Sequence, residues 1–365
     1  MAEAFSEDQV ARLRLIRSDN VGPVTYFQLL ARFGTAQAAL DAIPDLAARG
    51  GGRAPRIAPR AAVEREMHAV QALGARYLFL GQGLYPALLA ELETAPPALI
   101  VKGQLSLLEK PAIAMVGARN ASAAACRFAR QLAQKVAEAG AAVVSGLARG
   151  IDTAVHDGAM EGGTIAVIAG GINIFYPPEN EARQKDIAER GLLVAEQPPG
   201  VEPRARHFPY RNRIIAGLAH GTVVVEAAPK SGSLITARYA AEFGRDVMAV
   251  PGSPLDPRAQ GCNGLIREGA ILVQSAEDVL ETIRPFHLRP PVLQGRMDYA
   301  APSAAPDASE AERRAILDLL SPTAVAVDEI IRQAELAPAI VQTVLLELEL
   351  AGRLERHAGG RVSLA

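Results

Sequence analysis

The amino-acid sequence predicts an α/β protein whose core is a Rossmann-like, doubly wound parallel sheet. Short apolar runs rich in β-branched residues follow one another from residue 113 to residue 274, and helical patterns separate them. Strands of this kind, alternating with helices, are typical of a parallel sheet covered on both faces. The preceding segment, Gly74–Leu108, is expected to add an edge unit to the sheet. The predicted strands are Ile113–Val116, Ala141–Ser145, Thr164–Ala169, Leu192–Glu196, Thr222–Glu226, Asp246–Val250 and Ile271–Gln274.

Smaller domains are predicted on both sides of this core. Residues 6–45 have apolar positions at helical spacing around the turn Asn20-Val-Gly-Pro23, which fits a small helical domain of the helix-hairpin-helix or sterile-alpha-motif (SAM) kind, or a helical cap on the next domain. Near the other end, three helical patterns and two short strands joined through Gly359-Gly360 predict a winged helix. We therefore expect an N-terminal helical domain over residues 1–73, the core over 74–284, a Pro-, Ala- and Ser-rich linker over 285–308 and a winged-helix domain over 309–365.

The composition is that of an ordinary globular protein. The chain has 365 residues, a formal net charge of −2 and two cysteines, Cys126 and Cys262, which lack metal-ligand spacing and are expected to be reduced packing residues. We expect a cytoplasmic protein without a membrane partner, because we find neither a run of about 20 apolar residues nor a signal-peptide pattern. The charge argues against a protein that coats duplex DNA by charge alone, but it leaves a local basic patch open.

Glycine-rich turns that carry cations occur where predicted strands end and helical patterns begin. They are Val116-Gly-Ala-Arg119, Ser145-Gly-Leu-Ala-Arg-Gly-Ile-Asp152, Arg211-Asn-Arg-Ile-Ile-Ala-Gly217 and Lys230-Ser-Gly-Ser233. Bare backbone N–H groups and helix N-termini attract anions, and ligands of doubly wound sheets bind at the carboxyl ends of the strands. The turns therefore predict an anion-binding rim along one edge of the sheet, for a nucleotide or for a strand of nucleic acid.

The basic side chains of these turns have two interpretations. Arg119 and Arg149 could bind phosphate through their planar guanidinium groups, or they could form surface ion pairs. The run Phe208-Pro-Tyr-Arg-Asn-Arg213 is predicted to precede a helix over Ile214–Leu218, where its two arginines could bind successive phosphates or stack on bases. Alternatively Asn212 caps that helix and the arginines are solvated.

Catalytic patterns are faint. Asp152 and His156 are four residues apart on a predicted helix, so they could form an acid–base pair or, alternatively, a cap and a hydrogen bond that hold the turn. Glu226 ends a strand and is expected to orient a basic neighbour. The sequence lacks G-x-G-x-x-G, P-loop, H-E-x-x-H and G-x-S-x-G patterns, and its six histidines show no metal spacing. We therefore predict no cofactor, no metal and no nucleotide hydrolysis.

The ordered motifs resemble those of the DNA-processing protein A family, also called Smf. The resemblance covers roughly residues 10–275 and implies a protein that is not an enzyme. It implies binding of single-stranded DNA in a basic pocket on the core, protection of incoming strands in natural transformation, help in loading RecA onto them, and homodimers formed through the core. Besides the four turns, the resemblance rests on Tyr85-Pro-Ala-Leu-Leu89, Pro96-Pro-Ala-Leu99, Tyr176-Pro177 with Glu179-Asn180, and Val250-Pro-Gly252.

The resemblance also implies which residues contact DNA, motif by motif. One departure concerns the residue after Tyr176-Pro177, where many members have a DNA-contacting lysine and this chain has Pro178; Lys185, Arg204 or Arg206 could supply that contact. The implied DNA-binding residues are Arg119, Ser145, Gly146, Arg149, Arg211, Asn212 and Arg213, with Lys230, Ser231, Gly232 and Ser233 in the last turn.

Two alternatives remain open. Related Rossmann-like phosphoribohydrolases process nucleotides and carry a Pro-Gly-Gly-x-Gly-Thr-x-x-Glu run, of which this chain has only Pro251-Gly-Ser-Pro254. The winged helix could contact duplex DNA, or it could dock a protein or regulate the chain itself.

Overall fold

The computed structural model describes residues 5–287, 307–357 and 359–365. The chain divides into two compact units, a terminal unit of residues 1–65 and 297–365, and a core unit of residues 66–296. The N-terminal helices and the winged helix thus share one unit. The predicted linker over 285–308 lies mostly outside the described residues.

The terminal unit consists of helices and one small sheet. α1 and α13 begin with capping boxes, at Ser6 with Gln9 and at Ser309 with Glu312, in which each serine hydroxyl accepts a backbone N–H bond. Three helices and an antiparallel sheet in the order β10-β12-β11 confirm the predicted winged helix. The elements are α1 (Glu7–Ile16), α2 (Pro23–Phe33), α3 (Ala36–Arg49), the start of α4 (Arg60–Ala72), α13 (Glu310–Asp318), β10 (Val325–Ala326), α14 (Val327–Ala334), α15 (Pro338–Leu350), β11 (Leu354–His357) and β12 (Arg361–Leu364).

The core unit contains a nine-stranded sheet in the order β1-β2-β6-β5-β4-β3-β7-β8-β9. Strands β3 to β9 are parallel, which confirms the predicted doubly wound sheet, and the antiparallel pair β1 and β2 forms the expected edge unit. The strands are β1 (Arg76–Phe79), β2 (Ala98–Gly103), β3 (Ala112–Val116), β4 (Ala142–Ser145), β5 (Thr164–Ile168), β6 (Leu192–Ala195), β7 (Gly221–Val224), β8 (Asp246–Ala249) and β9 (Ile271–Leu272).

Helices connect these strands. The strand order reverses between β3 and β7, so the carboxyl ends of β3, β4 and β7 lie at the switch point where such sheets bind ligands. Within the described ranges, no helix combines the length and apolar composition needed to cross a bilayer. The helices are α5 (Ala87–Ala90), α6 (Ala123–Glu138), α7 (Ile151–Ala159), α8 (Glu181–Arg190), α9 (His207–Gly217), α10 (Gly232–Glu242), α11 (Gln260–Arg267) and α12 (Ala276–His287), with 3₁₀ turns at Leu105–Glu109 and Pro178–Asn180.

The start of α9 differs from the sequence prediction. We expected a helix over Ile214–Leu218 that follows the Arg-Asn-Arg run, but the helix begins at His207. Pro209 falls in its first turn, where the missing N–H costs no intrahelical hydrogen bond. Arg211 and Arg213 therefore lie inside the helix and, being two residues apart, point in different directions.

Two helical glycines of the core unit provide a test of the packing. A Cβ atom at Gly158 in α7 would overlap the Arg130 carbonyl oxygen of α6, whereas one at Gly264 in α11 would meet nothing within 4 Å. Gly158→Ala is expected to lower the free energy of unfolding by about 1–3 kcal/mol because backbone must shift. Gly264→Ala is expected to raise it by up to about 1 kcal/mol through helix propensity.

Urea unfolding followed by far-ultraviolet circular dichroism measures both changes, since the chain has no tryptophan. Equal shifts of the two variants in the same direction would contradict the close packing of α6 and α7.

Candidate functional site

A cavity of about 460 Å³ opens in the core unit where β3, β4 and β5 end. It contains three of the arginines predicted to bind anions, together with two aromatic rings. Its lining consists of Arg119, Asn120, Gly146, Leu147, Ala148, Arg149, Ile168, Ala169, Tyr176, Pro177, Pro178, Phe208 and Arg211.

Arg211 reaches the cavity from the second turn of α9 and is 7% exposed. Its Nη1 atom donates to the carbonyl oxygens of Gly146 and Val167, the latter at 3.3 Å. A side chain at Gly146 would occupy the position of this guanidinium, so the close approach requires glycine there. Burial lowers the pKa of Arg211, while the nearby Asp152 carboxylate opposes that change. Among the described residues, its Nε atom has no hydrogen-bond partner.

The turn after β4 is held in an unusual backbone conformation. Leu147 has φ 55° and Gly150 has φ 75° with ψ −119°, a combination open in practice only to glycine. Asn180 stabilises this turn from the segment before α8, because its Nδ2 atom donates to the Leu147 carbonyl at 3.0 Å and to the Thr153 hydroxyl at 3.1 Å. The turn is therefore fixed before any ligand binds.

Asp152 and His156 hold the same turn. The Asp152 carboxylate accepts the Ala148 N–H at 3.2 Å, and His156 Nε2 accepts the Leu147 N–H at 3.3 Å while Nδ1 lies 2.7 Å from the Thr164 hydroxyl. Burial raises the pKa of Asp152 and lowers that of His156 to about 3. Of the two interpretations left open by the sequence, this geometry fits the cap and the hydrogen bond.

The exposed wall of the cavity combines charge with aromatic faces. The Arg119 guanidinium lies 5.1 Å from the centroid of the Phe208 ring, and that of Arg211 lies 5.8 Å from the same centroid. The Tyr176 ring, 46% exposed, is 5.7 Å from the Phe208 ring. Arg149 is exposed at the rim and is ion-paired with Glu179.

Three other predicted residues have internal partners and do not line the cavity. The buried Ser145 hydroxyl donates to the Met115 carbonyl at 2.7 Å and joins β4 to β3. Arg213 donates to Glu196 at 2.5 Å and to a backbone carbonyl of the segment before β2. Asn212 donates to the Gly232 carbonyl at 3.3 Å, which connects α9 to the start of α10, so it is not the cap of its own helix.

The turn before α10 lies outside the cavity as well. Lys230 is exposed with φ 66°, and the Ser231 and Ser233 hydroxyls are 2.8 Å from each other. Gly232 begins the helix, and a Cβ there would meet nothing within 4 Å.

Glu226 has a different role from the one expected. Its carboxylate accepts the Ser122 backbone N–H at 2.9 Å and the Ser122 hydroxyl at 2.7 Å, instead of orienting a basic neighbour. It thereby anchors the start of α6 beside the turn after β3. In the described part of the chain, no group of three or more His, Cys, Asp or Glu side chains could hold a metal ion.

Sequence reasoning assigned no role to Phe208 and Tyr176, which supply the two rings, or to Asn180, which holds the turn after β4. Phe208 and Arg211 are three residues apart and share a helix face, but that relation was hidden while α9 was expected to begin at residue 214. Both aromatic residues belong to the motifs on which the family resemblance rests. For Phe208, the arginine three residues later was the available signal in the sequence.

Pro178, at the position where the family resemblance implied a DNA-contacting lysine, lines the cavity. Lys185 is ion-paired with Glu181 at 2.6 Å and lies over the Phe175 ring, and Arg204 and Arg206 are exposed. None of the three candidate replacements is among the lining residues.

Comparison with known proteins identifies the family. Residues 76–284 match the family model described as DNA recombination-mediator protein A. The chain belongs to this family. Residues 6–69 match the DprA-like N-terminal HHH domain, and residues 300–360 match the DprA winged helix domain.

Several relatives in the recombination-mediator family are similar over much of their length. The DNA processing protein DprA of Streptococcus pneumoniae is 48% identical over 54% of this chain and 70% of its own, and the Protein Smf of Escherichia coli is 36% identical over 84% and 82%. The X-ray structure of the S. pneumoniae protein superposes with a TM-score of 0.64 at 35% identity, covering 76% of this chain and 98% of that one. A Helicobacter pylori DNA processing protein A, whose structure is described as giving insight into a unique single-stranded DNA binding mode, has a TM-score of 0.53 at 26% identity, covering 58% and 96%.

The buried, neutral His156 predicts a pH dependence of stability. Its folded pKa of about 3 lies below the ordinary histidine pKa of 6.5, so unfolding takes up a proton between these values. Its contribution to stability is complete above pH 6.5 and is lost as pH falls towards 3, by about 1.4 kcal/mol per pH unit. His156→Gln, which keeps an acceptor for Leu147, is expected to remove this slope.

Urea titrations between pH 7 and about pH 4 give the free energies of unfolding of the parent and of His156→Gln. In the difference between these two free energies, the contributions of the other titrating groups cancel. Parallel stability profiles would show that His156 takes up equal numbers of protons in the folded and unfolded chain, and would contradict its lowered pKa.

Proposed function

We propose that this chain binds single-stranded DNA in the cavity at the carboxyl ends of β3, β4 and β5, and that it acts there as a recombination mediator. One observation carries the proposal. Arg119, Arg149 and Arg211 share the cavity with the faces of Tyr176 and Phe208, so phosphate contacts and base stacking are available within one site.

The same arrangement favours a single strand over a duplex. An aromatic ring can stack only on a base whose face is free, and bases in a duplex have their faces covered by neighbours. The guanidinium groups fit phosphate geometry, and the buried turn after β4 presents fixed backbone beside them. The similarity to the H. pylori protein, described by its single-stranded DNA binding mode, supports this substrate class.

A binding role fits the polar groups better than an enzymatic one. Asp152 and His156 hold backbone N–H groups of the turn, and both carboxylate oxygens of Glu226 are bonded to Ser122. We therefore propose a binding protein and not a phosphoribohydrolase. Base release from nucleoside monophosphates, abolished by Glu226→Gln, would contradict this proposal.

The family resemblance extends the proposal to partners. We infer that the chain protects incoming single strands in natural transformation, delivers them to RecA, and works in the cytoplasm. RecA filament formation on strands coated by a single-strand-binding protein measures the delivery step, which should require Arg119 and Arg211.

A charge variant and a ring variant of the cavity should weaken binding in different ways. Arg119→Ala should lower the affinity for a single-stranded oligonucleotide by about tenfold at low salt and reduce the slope of log K against log salt by about 0.7, because one phosphate contact is lost. Tyr176→Leu should cost about 1–3 kcal/mol through lost stacking and leave the slope unchanged. Fluorescence anisotropy over a salt series gives both quantities.

Arg190→Ala is the matched control for this measurement. Arg190 ends α8 in the same unit, is about half exposed and is ion-paired with Glu161 away from the cavity lining. A loss of affinity equal to that of Arg119→Ala would place binding outside the cavity. Equal parental affinity for single-stranded and duplex DNA would refute the stacking argument.

We also propose a homodimer formed through the β9 edge of the core sheet. β9 is the last strand of the sheet, and Ile271 and Leu272 are 40% and 43% exposed there. An exposed apolar edge strand favours pairing with another chain, and a second copy presents the same edge.

Leu272→Arg should therefore shift the chain from dimer to monomer, because a charge would be buried against its copy. Light scattering combined with gel filtration measures the mass. Leu84→Arg is the control, since Leu84 is similarly exposed, at 38%, in a loop away from β9. A monomeric parent chain would contradict the proposed dimer. A parent dimer that Leu84→Arg dissociates and Leu272→Arg does not would contradict its formation through β9.

A further inference from the structure

The third helix of the winged helix, α15, has two opposite apolar sides. In helix-turn-helix proteins the corresponding recognition helix lies in the major groove, with the side away from its own domain core facing the bases. Leu346 and Leu350 lie on that outer side of α15 but are only 3% and 0% exposed. The inner side, which packs in the winged-helix core, carries Val341, Val344, Leu345 and Leu348.

The N-terminal helices of the same unit cover the outer side of α15. Leu346 and Leu350 belong to the apolar cluster formed by α1, α2 and α3. Polar contacts surround this cluster: Gln28 Nε2 donates to Gln342 at 2.9 Å, and Asn20 Nδ2 donates to the Leu350 carbonyl at 3.2 Å. The N-terminal members of the cluster include Leu29, Leu30, Leu40, Ile43, Leu46 and Ala47.

The charges on this side are also unsuited to DNA. The sequence of α15 contains Glu347 and Glu349 and neither lysine nor arginine. Arg353 donates to the Gly50 carbonyl at 3.0 Å, and Arg356 donates to Glu349 at 2.7 Å and to Gln28 at 3.3 Å. Sequence-independent affinity for DNA comes from cations that replace counterions at phosphates, and these cations are already bonded within the protein.

We propose that the winged helix is an intramolecular docking module whose groove-reading side binds the N-terminal helical domain of its own chain, so that it does not read duplex DNA. The side of α15 that would enter a groove is the side that carries the interface. The two ends of the chain then form one cooperative unit, and DNA binding is confined to the core unit.

A matched pair of leucine truncations on α15 tests the docking in the full-length chain. Leu346→Ala should raise amide hydrogen exchange in α2 and α3 by about tenfold while α13 and α14 keep their protection, because only the interface loses contacts. Leu345→Ala, one residue away and fully buried in the winged-helix core, should raise exchange in α13 and α14. Unchanged exchange of α2 and α3 in Leu346→Ala would overturn the docking.

Duplex DNA gives the second measurement on the unmodified chain. With an excess of a short duplex, exchange in α15, α2 and α3 should stay the same as without DNA. Protection of α15 together with faster exchange in α2 and α3 would show that α15 separates from the N-terminal helices and binds in a groove of the duplex. The proposal would then be wrong.

Discussion

The buried guanidinium of Arg211 joins three segments of the core that are distant in the chain. From α9 it donates to the Gly146 carbonyl, 65 residues away, and to the Val167 carbonyl, 44 residues away. Burying a charged group is costly unless polar partners surround it, and here two carbonyl oxygens and the nearby Asp152 carboxylate do so. The shape of the cavity depends on these hydrogen bonds of Arg211, because the turn after β4, the end of β5 and α9 form the walls of the cavity.

The position of Arg211 in turn determines the exposed wall. Phe208 is one helical turn earlier on α9, so a fixed Arg211 also fixes the Phe208 ring, and that ring supports the Arg119 guanidinium. Arg119 is thus held in place although it is exposed and comes from a turn after another strand. Because the cationic and aromatic groups are ordered before a ligand arrives, binding costs less side-chain entropy.

The sequence predicted most of the fold and about half of the site, for identifiable reasons. The buried strands from Ile113 to Val250 are short apolar runs between helical patterns, and the turn at Gly146–Gly150 requires glycines that are visible in the sequence. The partners of Arg213 were not visible, because the helix was expected to begin at Ile214, after the Arg-Asn-Arg run, whereas it begins at His207. Tertiary bonds such as that between Arg213 and Glu196 leave no local pattern.

Net charge fails as a guide to this protein because many of the arginines that the structure describes are ion-paired with acids of the same chain. In the core unit Arg183 binds both oxygens of Asp157, and in the terminal unit Arg313 binds both oxygens of the buried Glu347. Such pairs attract an anionic strand less than a cation without an acidic partner does, because the acid offsets the positive charge. Arg119 differs because, within the described residues, its guanidinium lies over the face of the Phe208 ring, a contact that leaves its N–H groups able to donate to phosphate. Binding therefore depends on where the guanidinium groups lie and on what they contact, and a chain with a formal charge of −2 can still present a cationic cavity.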